Sequence, residues 1–223
     1  MPNRLCFFPG LGRPTLRSLQ YPMLAEWSVE LGADDPQLEI PWSSADGRVR
    51  YLDLKRQPEL LLEVPEACDN LALAEFLNWA NSAESVFETV KCDSWSSDEI
   101  TPEEEFFGEP CKFGSYVDLL FTAESIRAKF LEHELFIRNL ASLLSRAPEM
   151  PASAELIVRR CTDRRSQSRN REDCFYTTLY VHGYGEDEQR ARERWEIALK
   201  MVQHAMVQQR LQTGKPHAAP KIP

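Results

Sequence analysis

Cysteine and histidine are the side chains of this chain with the widest chemical reach, and their spacing limits what they can do. The six cysteines stand at 6, 68, 92, 111, 161 and 174. No two form a CxxC pair, and no histidine lies at ligand spacing to them, so neither a zinc nor a dithiol motif is assigned. Cys92 with Cys111, and Cys161 with Cys174, bracket two loops. If the flanking strands pair as hairpins, each couple faces across a ladder. Reduced buried thiols are the base expectation, with disulfides and a metal site as the other readings. Of the four histidines, His133 falls on an apolar helical stripe, which favours a satisfied core residue over a catalytic base. Glu132-His133-Glu134 departs from HExxH because position 137 is Ile. His182 ends a strand in His-Gly-Tyr-Gly-Glu-Asp, where Gly183 and Gly185 precede a helix in the manner of an anion cradle. Glu186 and Asp187 already occupy that positive helix end. No GxSxG, Walker-type loop or paired-carboxylate motif on a known scaffold occurs. No catalytic, cofactor-binding or metal-ligating residue is therefore assigned, and an enzyme of unrecognised class using His133 or His182 stands as an alternative.

Charge is the second source of chemistry. Residues 93–109 hold seven carboxylates (Asp93, Asp98, Glu99, Glu103, Glu104, Glu105, Glu109) and no Lys or Arg. Residues 159–171 hold six arginines (159, 160, 164, 165, 169, 171) against Asp163. Each loop joins two expected strands. They read as solvated hairpin loops, as surfaces that meet each other within or between subunits, or as sites for outside partners. Arg164, Arg165, Arg169 and Arg171 are the candidates for anion or nucleic-acid binding, though the arginine loop lacks the aromatic platforms of single-strand readers. Tyr176, Thr178, Tyr180 and His182 share one face of a strand, so Tyr176, Tyr180 and His182 are candidate binding residues on a sheet surface. The net charge of −9 disfavours nucleic acid as the default partner and suits a basic protein.

The elements that position these residues follow from periodicity. Residues 111–121 alternate: Phe113, Ser115, Val117, Leu119 and Phe121 face one way, Lys112, Gly114, Tyr116 and Asp118 the other. A long helix follows to Ala147, with Thr122 as its N-cap and Ile126, Phe130, His133, Ile137, Leu140 and Leu144 as its stripe. Upstream, the chain reads as a short helix ending at Gly32, strands at 37–42, 48–54 and 59–64, and a helix over 70–81 capped by Asp69. A strand over 85–95 precedes the acidic loop. Pro148 to Pro151 breaks the chain, and strands 155–161 and 174–182 lead to a helix over 186–211. The fold class is α+β, an antiparallel sheet with helices on one face, in the order α-βββ-α-ββ-α followed by an extra ββα. A strand–strand–helix unit recurs three times, at 48–81, 85–146 and 155–211.

Three stretches carry a family resemblance: Phe76-Leu77-Asn78-Trp79-Ala80-Asn81, the strand Val86 to Cys92, and the strand-to-helix passage Tyr116 to Phe130. Over residues 15–147 the chain resembles the type III secretion chaperone-like fold, in particular its YbjN-type members. That resemblance implies an acidic, cytoplasmic, non-enzymatic protein that binds other proteins, often as a dimer. The chain is expected to divide into an arm (1–13), a chaperone-like α+β domain (14–147), a ββα extension packed on it (152–212) and a disordered tail (213–223), the extension being an addition to the family's pattern. The expected partner is another protein or a second copy of the chain. No cofactor is expected, and no apolar run reaches the roughly 18 residues of a membrane span. The short apolar stretch Leu5 to Phe8 is not a signal peptide, which again points to the cytoplasm.

Overall fold

The computed structural model describes residues 23–165 and 174–213. The expected arm, the tail beyond Thr213, and Arg169 and Arg171 lie outside the described residues. The elements are β1 (Leu24–Glu30), β2 (Gln37–Ile40), α1 (Pro65–Asp69), α2 (Leu71–Ala80), β3 (Phe87–Ser97), β4 (Cys111–Phe121), α3 (Glu124–Arg127), α4 (Phe130–Leu144), β5 (Ala152–Asp163), β6 (Cys174–Gly185) and α5 (Glu188–Thr213). The strands make one six-stranded sheet in the order β1-β5-β6-β4-β3, with β2 pairing β5 beyond the end of β1. β1 and β2 run parallel to β5, and the other pairs are antiparallel. The fold is thus α+β with a mostly antiparallel sheet.

The alternation on β4 is realised. Phe113, Val117 and Leu119 join Leu156 and Val158 of β5 and Leu179 and Val181 of β6 in one core with α2, α4 and α5. Ile137, Leu140 and Leu144 carry α4 into it, and Trp195, Leu199, Val202 and Met206 carry α5. Trp195 is fully buried and donates its Nε1–H to Ser115 Oγ at 2.9 Å, so its one polar atom is satisfied. The ββα segment after Pro151 is not an outer layer, since β6 lies between β5 and β4 and α5 packs across them.

α5 lies close to β6 because Gly183 and Gly185 have no side chain. A Cβ at Gly183 would fall within 3 Å of Trp195 N, Ala191 O and Arg194 C, all backbone. Gly183→Ala is therefore expected to push α5 off the sheet and cost about 1–3 kcal/mol, read as a lower urea midpoint. A midpoint equal to wild type would remove this explanation of the glycine.

Several expected elements differ. Leu24–Glu30 is strand rather than helix: Met23, Ala25, Trp27, Val29 and Leu31 alternate with Leu24, Glu26, Ser28 and Glu30, and β5 offers them a parallel ladder. Residues 48–54 are irregular, joined to the preceding segment by the Ser43–Arg50 bridge and the Tyr51 N–H to Trp42 O bond. The intervening turn is as expected, with Gly47 at φ 70°. Pro58–Glu63 is a 3₁₀ turn, not a central strand, and Leu62 is 82% exposed. Pro58 and Pro65 bracket this run and deny it ladder donors. The first expected strand–strand–helix unit, at 48–81, is therefore absent, while the other two correspond to β3–β4 with α3–α4 and β5–β6 with α5. Asn70, not Asp69, stands at the N-cap of α2. The long helix after Thr122 is two pieces, with Ala123 at the N-cap of α3 and the extended Lys129 between α3 and α4. No described helix is long and apolar enough to cross a membrane.

Candidate functional site: the aromatic face of the sheet

All the helices that build the main core pack on one face of the sheet. The other face is closed at each end by loop segments. At one end Ile40, with Leu38, Trp42 and Tyr51, covers Val90, Leu120, Cys161, Cys174 and Tyr176 as a second small core. Trp42 Nε1 donates to Val90 O at 2.8 Å and pins that segment. At the opposite end the acidic β3–β4 loop folds over β6. Its 3₁₀ turn Glu105–Phe107 stacks the Phe107 ring on Tyr184, with centroids 4.2 Å apart.

Between the two covers runs a trough floored by rings from three adjacent strands. Tyr116 lies 5.6 Å from Tyr180 and 6.4 Å from Trp95, and Trp95 meets His182 edge-on at 5.7 Å. Register brings them together: Trp95 and His182 are both direct neighbours of Gly114. A Cβ at Gly114 would meet His182 Nε2 at 3.0 Å and Trp95 Cζ2 at 3.1 Å, so the glycine is what lets both rings close over β4. All four rings are half-buried, and no helix among the described residues covers them.

Beneath the rings, Asp118 is buried and accepts a 2.7 Å bond from Thr178 Oγ1, which in turn accepts from Arg159 Nη1 at 2.9 Å. Burial pushes the Asp118 carboxyl up to about 6, against the pull of Thr178, Arg159 and Lys91. Arg159 also binds Glu30 at 2.7 Å. Carboxylates outnumber cations around the trough: Glu26, Glu103 and Glu155 make no ion pair among the described residues, Glu104 is matched by Lys112 at 2.8 Å, and Lys91 lies over the Tyr116 ring at 5.9 Å. Burial raises the Glu155 carboxyl, and the neighbouring Glu26 and Glu30 raise it further.

One contact in the trough has the look of a nucleophile and its base. Ser153 Oγ lies 3.4 Å from His182 Nδ1 and 3.0 Å from Tyr184 OH. Tyr184 donates its hydroxyl proton to Glu104 Oε1 at 3.0 Å. The Ser153 proton is then directed at the Tyr184 oxygen, and His182 acts as donor to Ser153. This polarity is the reverse of what activates a serine, so the chain of bonds holds the acidic loop on the sheet. His133 is fully buried against Phe121 and Phe175 and has no substrate access.

The sequence candidates separate. Tyr180 and His182 lie in the trough; Tyr176, on the same face, is buried in the second core. Arg164 and Arg165 are at the far end of β5 and already engaged. Arg164 pairs with Glu39 at 2.7 Å. Arg165 binds Glu88, Asp163 and the Tyr51 hydroxyl, at 2.6, 2.9 and 2.5 Å. Arg164 and Arg165 follow β5 at one end of the sheet, whereas Glu109 precedes β4 at the other and binds Arg194 of α5 at 2.7 Å. Cys161 and Cys174 are direct ladder partners. Cys92 faces Val117, not Cys111, because β3 and β4 extend past the expected turn to Ser97 and Cys111. Trp95, Tyr116 and Asp118 were not singled out from the sequence as binding residues. Among the described residues no cluster of His, Cys, Asp and Glu is arranged to hold a metal ion. Comparison with protein-family models, with curated proteins and with solved structures gives no match to this chain.

Proposed function

We propose that the chain is a non-enzymatic, cytoplasmic protein-binding module of the adaptor or chaperone-like kind, which takes a basic segment of a partner protein along the aromatic trough. The observation that carries this reading is the ladder Tyr116–Trp95–His182 with Tyr180, left between two loop covers and bordered by Glu26, Glu103 and Glu155. Half-exposed Trp and Tyr are the residues that anchor protein interfaces. Carboxylates beside aromatic faces favour Lys and Arg side chains, through ion pairs and cation–π contact. The same charges repel phosphate, which weighs against a polyanion in the trough. The alternative, anion or nucleic-acid binding through residues 159–171, has less support because Arg159, Arg164 and Arg165 are satisfied within the fold.

The test is a titration of the full chain with Lys/Arg-rich and Glu-rich peptides of equal length. Binding of the basic peptide alone is expected, weakening with salt. Trp95→Ala and Tyr180→Ala are each expected to lower affinity about tenfold or more, a hot-spot cost of more than about 1.4 kcal/mol. Equal affinity for both peptides, or variants that bind as wild type, would end this reading. A second copy of the chain as the occupant would show instead as a dimer in light scattering that Trp95→Ala dissociates.

A further inference from the structure

We infer that Cys161 and Cys174 are a redox-reactive dithiol that a low-molecular-weight disulfide such as oxidised glutathione converts into a cross-strand disulfide, latching the mouth of the β5–β6 hairpin. The two residues are direct partners in the terminal pair of the β5–β6 ladder. Directly opposed residues of an antiparallel ladder have Cα atoms roughly 4.5 or 5.5 Å apart, and both spacings fall in the range of about 4.4–6.8 Å that a disulfide spans. The side chains are already turned to each other, with Sγ atoms 2.7 Å apart. No other described cysteine competes, since Cys92 faces Val117, Cys111 faces Gly185 and Cys68 is exposed elsewhere. The position gives the bond a consequence. Asp163 follows Cys161 by two residues and holds both Arg127 and Arg165, so a latch at the pair fixes the strand end that presents this carboxylate.

The chemistry balances as two thiol–disulfide exchanges. Both residues are buried in the folded chain, so the exchange takes place as the hairpin forms, before Ile40 and Tyr176 close over the pair: one protein thiolate attacks a sulfur of oxidised glutathione, forms a mixed disulfide and releases one glutathione thiolate. The second protein thiolate attacks the protein sulfur of that mixed disulfide and releases the other glutathione. Two protein thiols lose two electrons and two protons, and the glutathione disulfide gains them as two thiols.

The experiment refolds the full chain in glutathione buffers from reducing to oxidising, blocks free thiols with an alkylating agent and maps the peptides by mass spectrometry. Loss of two of the six thiols is expected, with Cys161 and Cys174 in one linked peptide. The oxidised form is expected to melt roughly 5–10 °C higher, as a loop of this length predicts, and dithiothreitol reverses the shift. Cys161→Ser abolishes the link and Cys111→Ser leaves it; the wild-type peptide map decides the matter even if a variant fails to fold. Six alkylatable thiols at excess oxidised glutathione, a link between other cysteines, or a glutathione adduct that never resolves would each overturn the inference.

Discussion

Replacing Arg127 with Met is expected to lower the unfolding free energy by about 3–5 kcal/mol, because it strands buried carboxylates. Arg127 reaches back from α3 to the end of the sheet, with its side chain 8% exposed. It donates to Phe121 O at 2.9 Å and Glu88 Oε1 at 3.0 Å, and it also pairs with Asp163. Glu88 and Asp163 are 9% and 5% exposed, and Arg165 binds both. Two guanidinium groups and two carboxylates therefore cancel within one small, largely buried volume. Burial works against the charge on Asp163, yet Arg165 and Arg127 hold its carboxyl below the usual range. With Arg127 gone, two carboxylates share Arg165 alone. The double variant Arg127→Met/Glu88→Leu leaves the neutral pair Asp163–Arg165 and is expected to regain most of the loss. Arg164→Ser breaks the exposed pair with Glu39 and is expected to change stability by at most about 1 kcal/mol. Urea unfolding of these variants checks the set. A cost under about 1 kcal/mol for Arg127→Met, or a double variant worse than the single, would show that the four charges do not act as a unit.

This network shows where sequence reading stops. The strands β3 to β6 and the helices α2, α4 and α5 were legible because their apolar periods of 2 and 3.6 match the one core they bury. β1 is misread from the sequence as a helix, although Met23, Ala25, Trp27, Val29 and Leu31 also fit a period of two. The same residues fit a helical spacing at 23, 27 and 31, and only a parallel partner more than a hundred residues away decides between them. The run Glu59-Leu60-Leu61-Leu62 looked like a central strand, yet flanking prolines outweigh composition there. The arginines looked like a free cationic loop because charge counts carry no partner information. Their partners Glu30, Glu39 and Glu88 come from β1, β2 and β3. The trough was half legible: alternation placed Tyr180 and His182 on one face, but Trp95 and Tyr116 join them only through the register across Gly114.

The protein is expected to lose about 3 kcal/mol of stability between pH 6.5 and 4, from three buried groups that do not all pull the same way. Neither ring nitrogen of His133 makes a hydrogen bond of good geometry among the described residues, and burial drops its pKa from 6.5 to about 4, with the Arg127 backbone opposing and the Arg127 charge assisting. His182 falls from 6.5 to about 4 by burial, with Glu104 opposing and Lys112 assisting. In the unfolded chain both take a proton near 6.5, while the folded chain resists until about 4. Folding is thus unaffected above the unfolded value and is penalised as pH falls below it, by about 3 kcal/mol for each histidine at 1.36 kcal/mol per pKa unit. Asp118 acts in reverse. Its pKa is raised from 3.8 to about 6, so the folded state keeps a proton that the unfolded state has released, and stability rises by about 3 kcal/mol as pH falls through that window. Two losses against one gain leave the net figure. His133→Leu is expected to erase most of the net acid loss and to be neutral or favourable at pH 7, since it removes two unsatisfied polar atoms from an aromatic pocket. Asp118→Asn removes the opposing gain and is expected to roughly double the acid loss. Urea unfolding at intervals from pH 8 to 4.5 reads both slopes. A flat wild-type profile, or a His133→Leu profile parallel to it, would mean that these histidines are not held neutral by the fold.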